Sequence, residues 1–124
     1  MTTTERRHYQ RIPFLADIIV NQNEQQWNAE LEDISLKGLL IKAPKEAKPV
    51  LNEVYYITLV LSKDATIKMQ AKISHFNETN WGMQWENIDI ECFTHLRRLL
   101  ELNTQDPEIV HRELSELGKP FIGQ

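Results

Sequence analysis

The sequence predicts a mainly β fold, an antiparallel barrel or sandwich of about six short strands followed by C-terminal α-helices. Three observations carry this. Apolar and polar residues alternate with a period of two through much of residues 14–85. The alternating segments are separated by short polar turns instead of helical patterns. Beyond Asp89 the apolar spacing changes to three and four, the period of a helix.

Taken in order, Phe14, Ala16, Ile18 and Val20 share one face of a first strand, with Leu15, Asp17 and Ile19 opposite. Asn21-Gln22-Asn23-Glu24 is a polar turn, and Trp27, Ala29 and Leu31 form the apolar face of a hairpin partner ending near Asp33. Leu39-Leu40-Ile41 is a brief third strand, after which Pro44 and Pro49 bound an irregular loop. Residues 54–61 are rich in β-branched and aromatic side chains, and Ile67, Met69, Ala71 and Ile73 alternate after a turn at residues 62–65. A last short strand holds residues 81–85. Phe93, Leu96, Leu99 and Leu100 then give one helical stripe with Asp89 at its N-cap. Asp106-Pro107-Glu108 opens a second helix carrying Ile109, Val110, Leu114 and Leu117, with Gly118 as its stop. Both stripes are expected to cover the barrel.

A chain of 124 residues has room for one core of ordinary size. It divides into an arginine-rich arm at 1–12, expected to be flexible, a β-barrel at 13–88 and a helical segment packed on it at 89–124. The longest apolar run, residues 57–61, is interrupted by Thr58 and falls far short of the roughly 20 residues that span a bilayer. No apolar segment follows Arg6-Arg7, so the expectation is a chain without a secretory signal and with a cytoplasmic location. The single cysteine, Cys92, forms no internal disulfide, and with only His95 one helical turn away it makes no metal site. A net charge of −4 argues against a binder of nucleic-acid polymers, which needs a broad basic face. Any anion site must be local.

One local site stands out. Arg6-Arg7-His8-Tyr9-Gln10-Arg11 gathers three guanidinium groups in an otherwise acidic chain. Guanidinium forks match phosphate oxygens and guanine edges bidentately and stack on bases. Taken alone, the run also reads as a solvated basic terminus. A second group, Asp33-Ile34-Ser35-Leu36-Lys37-Gly38, sits at a strand end. In extended chain, Asp33 and Ser35 share a face, the carboxylate can accept from a guanine N1–H and N2–H, and glycine permits positive φ or close backbone approach. Taken alone, this is an ordinary turn.

Together the two groups resemble the paired signature of the PilZ family: Arg7-x-x-x-Arg11 just before the first strand, and Asp33-x-Ser35-x-x-Gly38 after the first hairpin. The likeness extends through the strand at Gly82 and the helix at Leu96-Arg97-Arg98-Leu99, and is to short single-domain members. The resemblance implies a six-stranded antiparallel β-barrel whose surface binds cyclic di-GMP. Arg7 and Arg11 would contact phosphates and guanine Hoogsteen edges, and Asp33, Ser35 and Gly38 a guanine and the ligand backbone. Arg6, directly before the motif, implies an intercalated ligand dimer, two molecules per chain. His75 lies where short members place a ring against the ligand. Trp81 and Trp85 are expected in the core or at the barrel rim, and Arg97 and Arg98 on an exposed helix face.

The implied function is that of a receptor and effector. The ligand orders the arm and builds a surface that a protein partner reads; no cofactor, membrane or catalytic role is expected, and the chain is expected to be a monomer. No nucleophile elbow, HExxH, P-loop or GxGxxG is present to favour an enzyme. The alternative is an interaction module of the same fold that does not bind nucleotide.

Overall fold

The computed structural model describes residues 11–62 and 65–117. Six strands, β1 (Ile12–Gln22), β2 (Gln25–Ile34), β3 (Gly38–Lys42), β4 (Val54–Ser62), β5 (Ala65–Phe76) and β6 (Asn80–Ile88), are followed by α1 (Ile90–Asn103) and α2 (Pro107–Leu117). They form a closed barrel in the order β1-β2-β3-β6-β5-β4, with every neighbouring pair antiparallel. The fold is therefore the six-stranded antiparallel barrel that the sequence implied.

Period-two alternation fixes which face of each strand turns inward. Ile18, Val20, Leu31, Ile41, Ile57, Leu59, Ile67, Ile73, Trp81 and Met83 fill the interior. Leu15, on the opposite face of β1, is 81% exposed. β1 with β2, β4 with β5 and β5 with β6 pair antiparallel as consecutive strands, and tight hairpins join the first and the last of these pairs. The first turns at Asn23, which adopts positive φ (56°), a conformation that asparagine tolerates better than most residues. β3 and β4 are not neighbours, so residues 43–53 carry the chain across the barrel. Their prolines, Pro44 and Pro49, donate no ladder hydrogen bond and suit that crossing.

The helices form where the sequence places their caps. The Asp89 carboxylate accepts the Cys92 N–H at 2.7 Å, and Asp106 Oδ1 accepts the Glu108 N–H at 3.1 Å. α1 buries Cys92, Leu96, Leu99 and Leu100, and these join the barrel residues in one core. The Cys92 thiol ties the helix to β5, accepting the Lys68 N–H at 3.4 Å and donating to the Thr66 carbonyl at 3.7 Å. α2 packs on α1 and buries Val110. Among the described residues, no helix is long and apolar enough to cross a membrane.

Asp89→Ala removes the α1 cap and should lower stability by about 1 kcal/mol, read as a shift of the urea midpoint at unchanged slope. Burial pushes both the Cys92 thiol and the Tyr55 phenol above their ordinary values. Both groups therefore stay neutral when folded at pH values where the unfolded chain releases its protons. The Cys92 contribution is complete below the ordinary thiol value of 9.0 and the Tyr55 contribution below the ordinary phenol value of 10.0, and each declines as pH rises above its own value. The urea midpoint should therefore fall as pH rises above 9.0; a flat profile would contradict this.

Candidate functional site

The end of the barrel where β1 enters brings the two motif groups together. Antiparallel pairing sets Pro13 opposite Asp33 and Ile12 opposite Ile34, so Arg11, one residue before β1, lies beside the end of β2. Its Nε stands 3.4 Å from Asp33 Oδ1, with both side chains partly exposed (33% and 21%). A single pair between partly exposed side chains stabilises the fold by at most about 1 kcal/mol, although Asp33 Oδ1 itself is shielded from water. Arg6 and Arg7 lie outside the described residues.

Ser35 is placed differently from the alternation expected for it. β2 ends at Ile34, and Ser35 begins a loop that turns back on itself. Its N–H donates to the Gly38 carbonyl at 2.8 Å. Its Oγ accepts the N–H groups of Lys37 (3.1 Å) and Gly38 (3.2 Å) and donates to the Gly38 carbonyl at 3.4 Å. Both lone pairs and the proton of the hydroxyl are thus committed within the loop. Ser35 is buried, and Leu36 beside it is fully buried, so the loop is anchored in the core by its own side chains. The hydroxyl shapes the loop and does not share the outer face with Asp33.

Gly38 owes its identity to space. It faces Gln84 across the β3–β6 ladder, and a Cβ added there would lie 2.0 Å from the Met83 carbonyl oxygen and 3.0 Å from Gln84 Cα. Backbone on that side leaves nothing that can swing away. β6 also grips the loop through Trp85, whose N–H donates to the Lys37 carbonyl at 2.9 Å. The Trp85 indole Nε1–H donates to the Ser35 carbonyl at 3.2 Å. Sequence reasoning treated Trp85 as a core or rim residue; no spacing in the chain marks it as a partner of a loop 50 positions away.

The strand register extends the site across the outer wall. Asp33 pairs with Leu40, Leu40 with Gly82, and Gly82 with His75. Asp33, Leu40, Gly82 and His75 therefore form one row over β2, β3, β6 and β5, about 14 Å long at three strand spacings. The exposed His75 ring covers Gly82, where a Cβ would meet its Cε1 at 2.1 Å and Nε2 at 2.3 Å. Ser74 Oγ holds that end together, 3.4 Å from His75 Nδ1 and donating to the Gly82 carbonyl at 3.1 Å. The row thus has a carboxylate with its guanidinium at one end, a low apolar floor at Leu40 and Gly82, and an aromatic ring at the other end. Arg97 is paired with Glu101 at 3.4 Å on α1.

This geometry sits within a sequence that matches the family described as PilZ domain over residues 5–102. The chain belongs to the PilZ family. Similar solved structures include the Bacillus subtilis inhibitor of motility, MotI/DgrA, with TM-score 0.65, 18% identity and 90% of this chain covered. This PilZ chain spans 52% of the length of that protein. The PilZ domain of YcgR from Escherichia coli with c-di-GMP superposes at TM-score 0.66 and 17% identity, covering 93% of this chain and 98% of that one. The PilZ domain of CeSA from a cellulose-synthesizing bacterium gives 0.61 and 22%, covering 73% and 93%. At these identities the likeness is one of fold.

The two glycines of the site should respond differently to alanine. Gly38→Ala pushes a methyl group into fixed backbone and should cost about 3 kcal/mol, whereas Gly82→Ala meets only a surface ring that can rotate away and should cost less than about 1 kcal/mol. Urea unfolding of the two variants checks the order; equal losses would refute it.

Proposed function

We propose that this PilZ chain is a receptor for cyclic di-GMP that binds the dinucleotide on the outer wall of the barrel and catalyses no reaction. The observation that carries the reading is the Arg11–Asp33 contact, which joins the arginine motif to the Asp-x-Ser-x-x-Gly motif at one place. The family assignment and the cyclic di-GMP held by the E. coli neighbour support it.

In this mechanism binding is an exchange of partners. The Asp33 carboxylate gives up Arg11 and accepts N1–H and N2–H from a guanine, while the Arg11 guanidinium turns to a ligand phosphate or to a guanine Hoogsteen edge. Arg7 adds a second guanidinium from the preceding segment. Ser35 and Gly38 act through the loop they shape, and His75 offers a face for a base at the far end of the row. Arg6 favours two stacked ligands per chain, since a dimer carries four phosphate charges and an outer base on which a further guanidinium stacks. Ligand contacts order residues 6–11 and build a surface that a protein partner reads. The chain acts as a monomer, its lone cysteine suiting a reducing cytoplasm.

Isothermal titration with cyclic di-GMP, using GTP and cyclic di-AMP as controls, tests the reading. Saturable binding selective for cyclic di-GMP is expected, near two ligands per chain; a ratio near one would remove the role given to Arg6. Arg7→Ala and Arg11→Ala should each weaken binding by more than tenfold, about 1.4 kcal/mol, and unchanged affinity in both would reject the site. If the wild-type chain takes up no ligand, the interaction module that binds no nucleotide becomes the better account.

A further inference from the structure

We propose that Trp85, which belongs to neither motif, is a positioning residue for the ligand site, clamping residues 35–38 in their binding shape. The proposal rests on the cyclic di-GMP reading above. The loop leaves β2 at Ile34 and enters β3 at Gly38, so the carbonyls of Ser35 and Lys37 lie outside the β2–β3 ladder. A free carbonyl beside an anion site is doubly harmful. Its negative end repels phosphate, and it rotates in search of a donor, taking the loop with it.

Trp85 supplies both missing donors from one side chain and its backbone, to Lys37 at 2.9 Å and to Ser35 at 3.2 Å. It is only 4% exposed, so water does not readily substitute for the indole. With the two carbonyls drawn inward and the Lys37 and Gly38 amides folded onto Ser35 Oγ, the loop is fixed from both sides. Asp33, two residues upstream, takes its direction from that fixed end.

Trp85→Phe keeps the backbone donor and most of the buried ring but deletes the indole N–H, leaving the Ser35 carbonyl buried without this partner. Trp81→Phe is the matched control. Trp81 lies on the same strand, is 1% exposed and packs on Tyr55 at 5.4 Å between ring centroids. Its indole Nε1 has no hydrogen-bond partner. Both changes remove core volume, but only one removes the clamp.

The test is titration of cyclic di-GMP into the wild-type chain, W85F and W81F, together with thermal midpoints and amide exchange at Lys37 and Gly38. W85F should bind roughly tenfold more weakly and exchange faster at both amides. W81F should lose less thermal stability than W85F, since it removes core volume but orphans no acceptor, and should leave affinity and those amides unchanged. W85F binding as tightly as a binding-competent wild type, or W81F weakening binding equally, would overturn the role of Trp85. A wild-type chain that takes up no ligand would instead overturn the receptor reading, and this role with it.

Discussion

The structure depends on how the sheet closes. β4 returns to β1 only through Tyr56, Ile57, Thr58 and Leu59 opposite residues 18–21, although β1 begins at Ile12 and continues to pair with β2 along most of its length. The first part of β1 therefore runs on beyond its ladder with β4. α1 covers core residues with Cys92, Leu96, Leu99 and Leu100, and its cysteine caps backbone groups of β5. The β1–β4 ladder that closes the barrel is short, and the C-terminal helix is part of the core. The short ladder also frees the start of β1 to bring Arg11 to the end of β2.

At that end the polar groups divide into two sets. Those of the 35–38 loop point inward, onto Ser35 Oγ and Trp85, and make a floor with little freedom to move. Arg11 and Asp33 are partly exposed and His75 is exposed. A rigid floor beneath a few exposed charged and aromatic groups suits a ligand bound on a convex wall, where no deep pocket can exclude water. Pre-organisation then replaces enclosure as the means of limiting the entropy lost on binding.

The strands, both helix starts and the order of elements were legible because each depends on a local pattern: alternation over a half-buried sheet, or an acid preceding an apolar stripe. The features that escaped are set by distant contacts. A register shift between Leu31 and Asp33 and the end of β2 at Ile34 break the alternation on which Ser35 was expected to share the face of Asp33. Gly38 gave two open explanations, positive φ or close approach, and only the neighbouring Met83 carbonyl selects the second. β6 runs on to Ile88, beyond the strand expected at residues 81–85, because Ile88 is buried opposite Met69. His75 is named only through the family resemblance, and its place in a row with Asp33 follows from three successive registers that no single segment encodes.

The ion pair between Arg11 and Asp33 also bears on selectivity. A ligand that takes the place of that pair must satisfy both ends at once. A phosphate that captured Arg11 would leave Asp33 without this cation, and a base that donated to Asp33 would leave the guanidinium to find another anion; either half-exchange forfeits a charge-assisted contact. A molecule presenting an anionic oxygen and paired N–H donors at fixed spacing restores both. Such a site discriminates by requiring two chemistries together, so it needs no strong overall attraction. That fits a chain whose net charge of −4 would, at long range, repel the very anion it is proposed to bind.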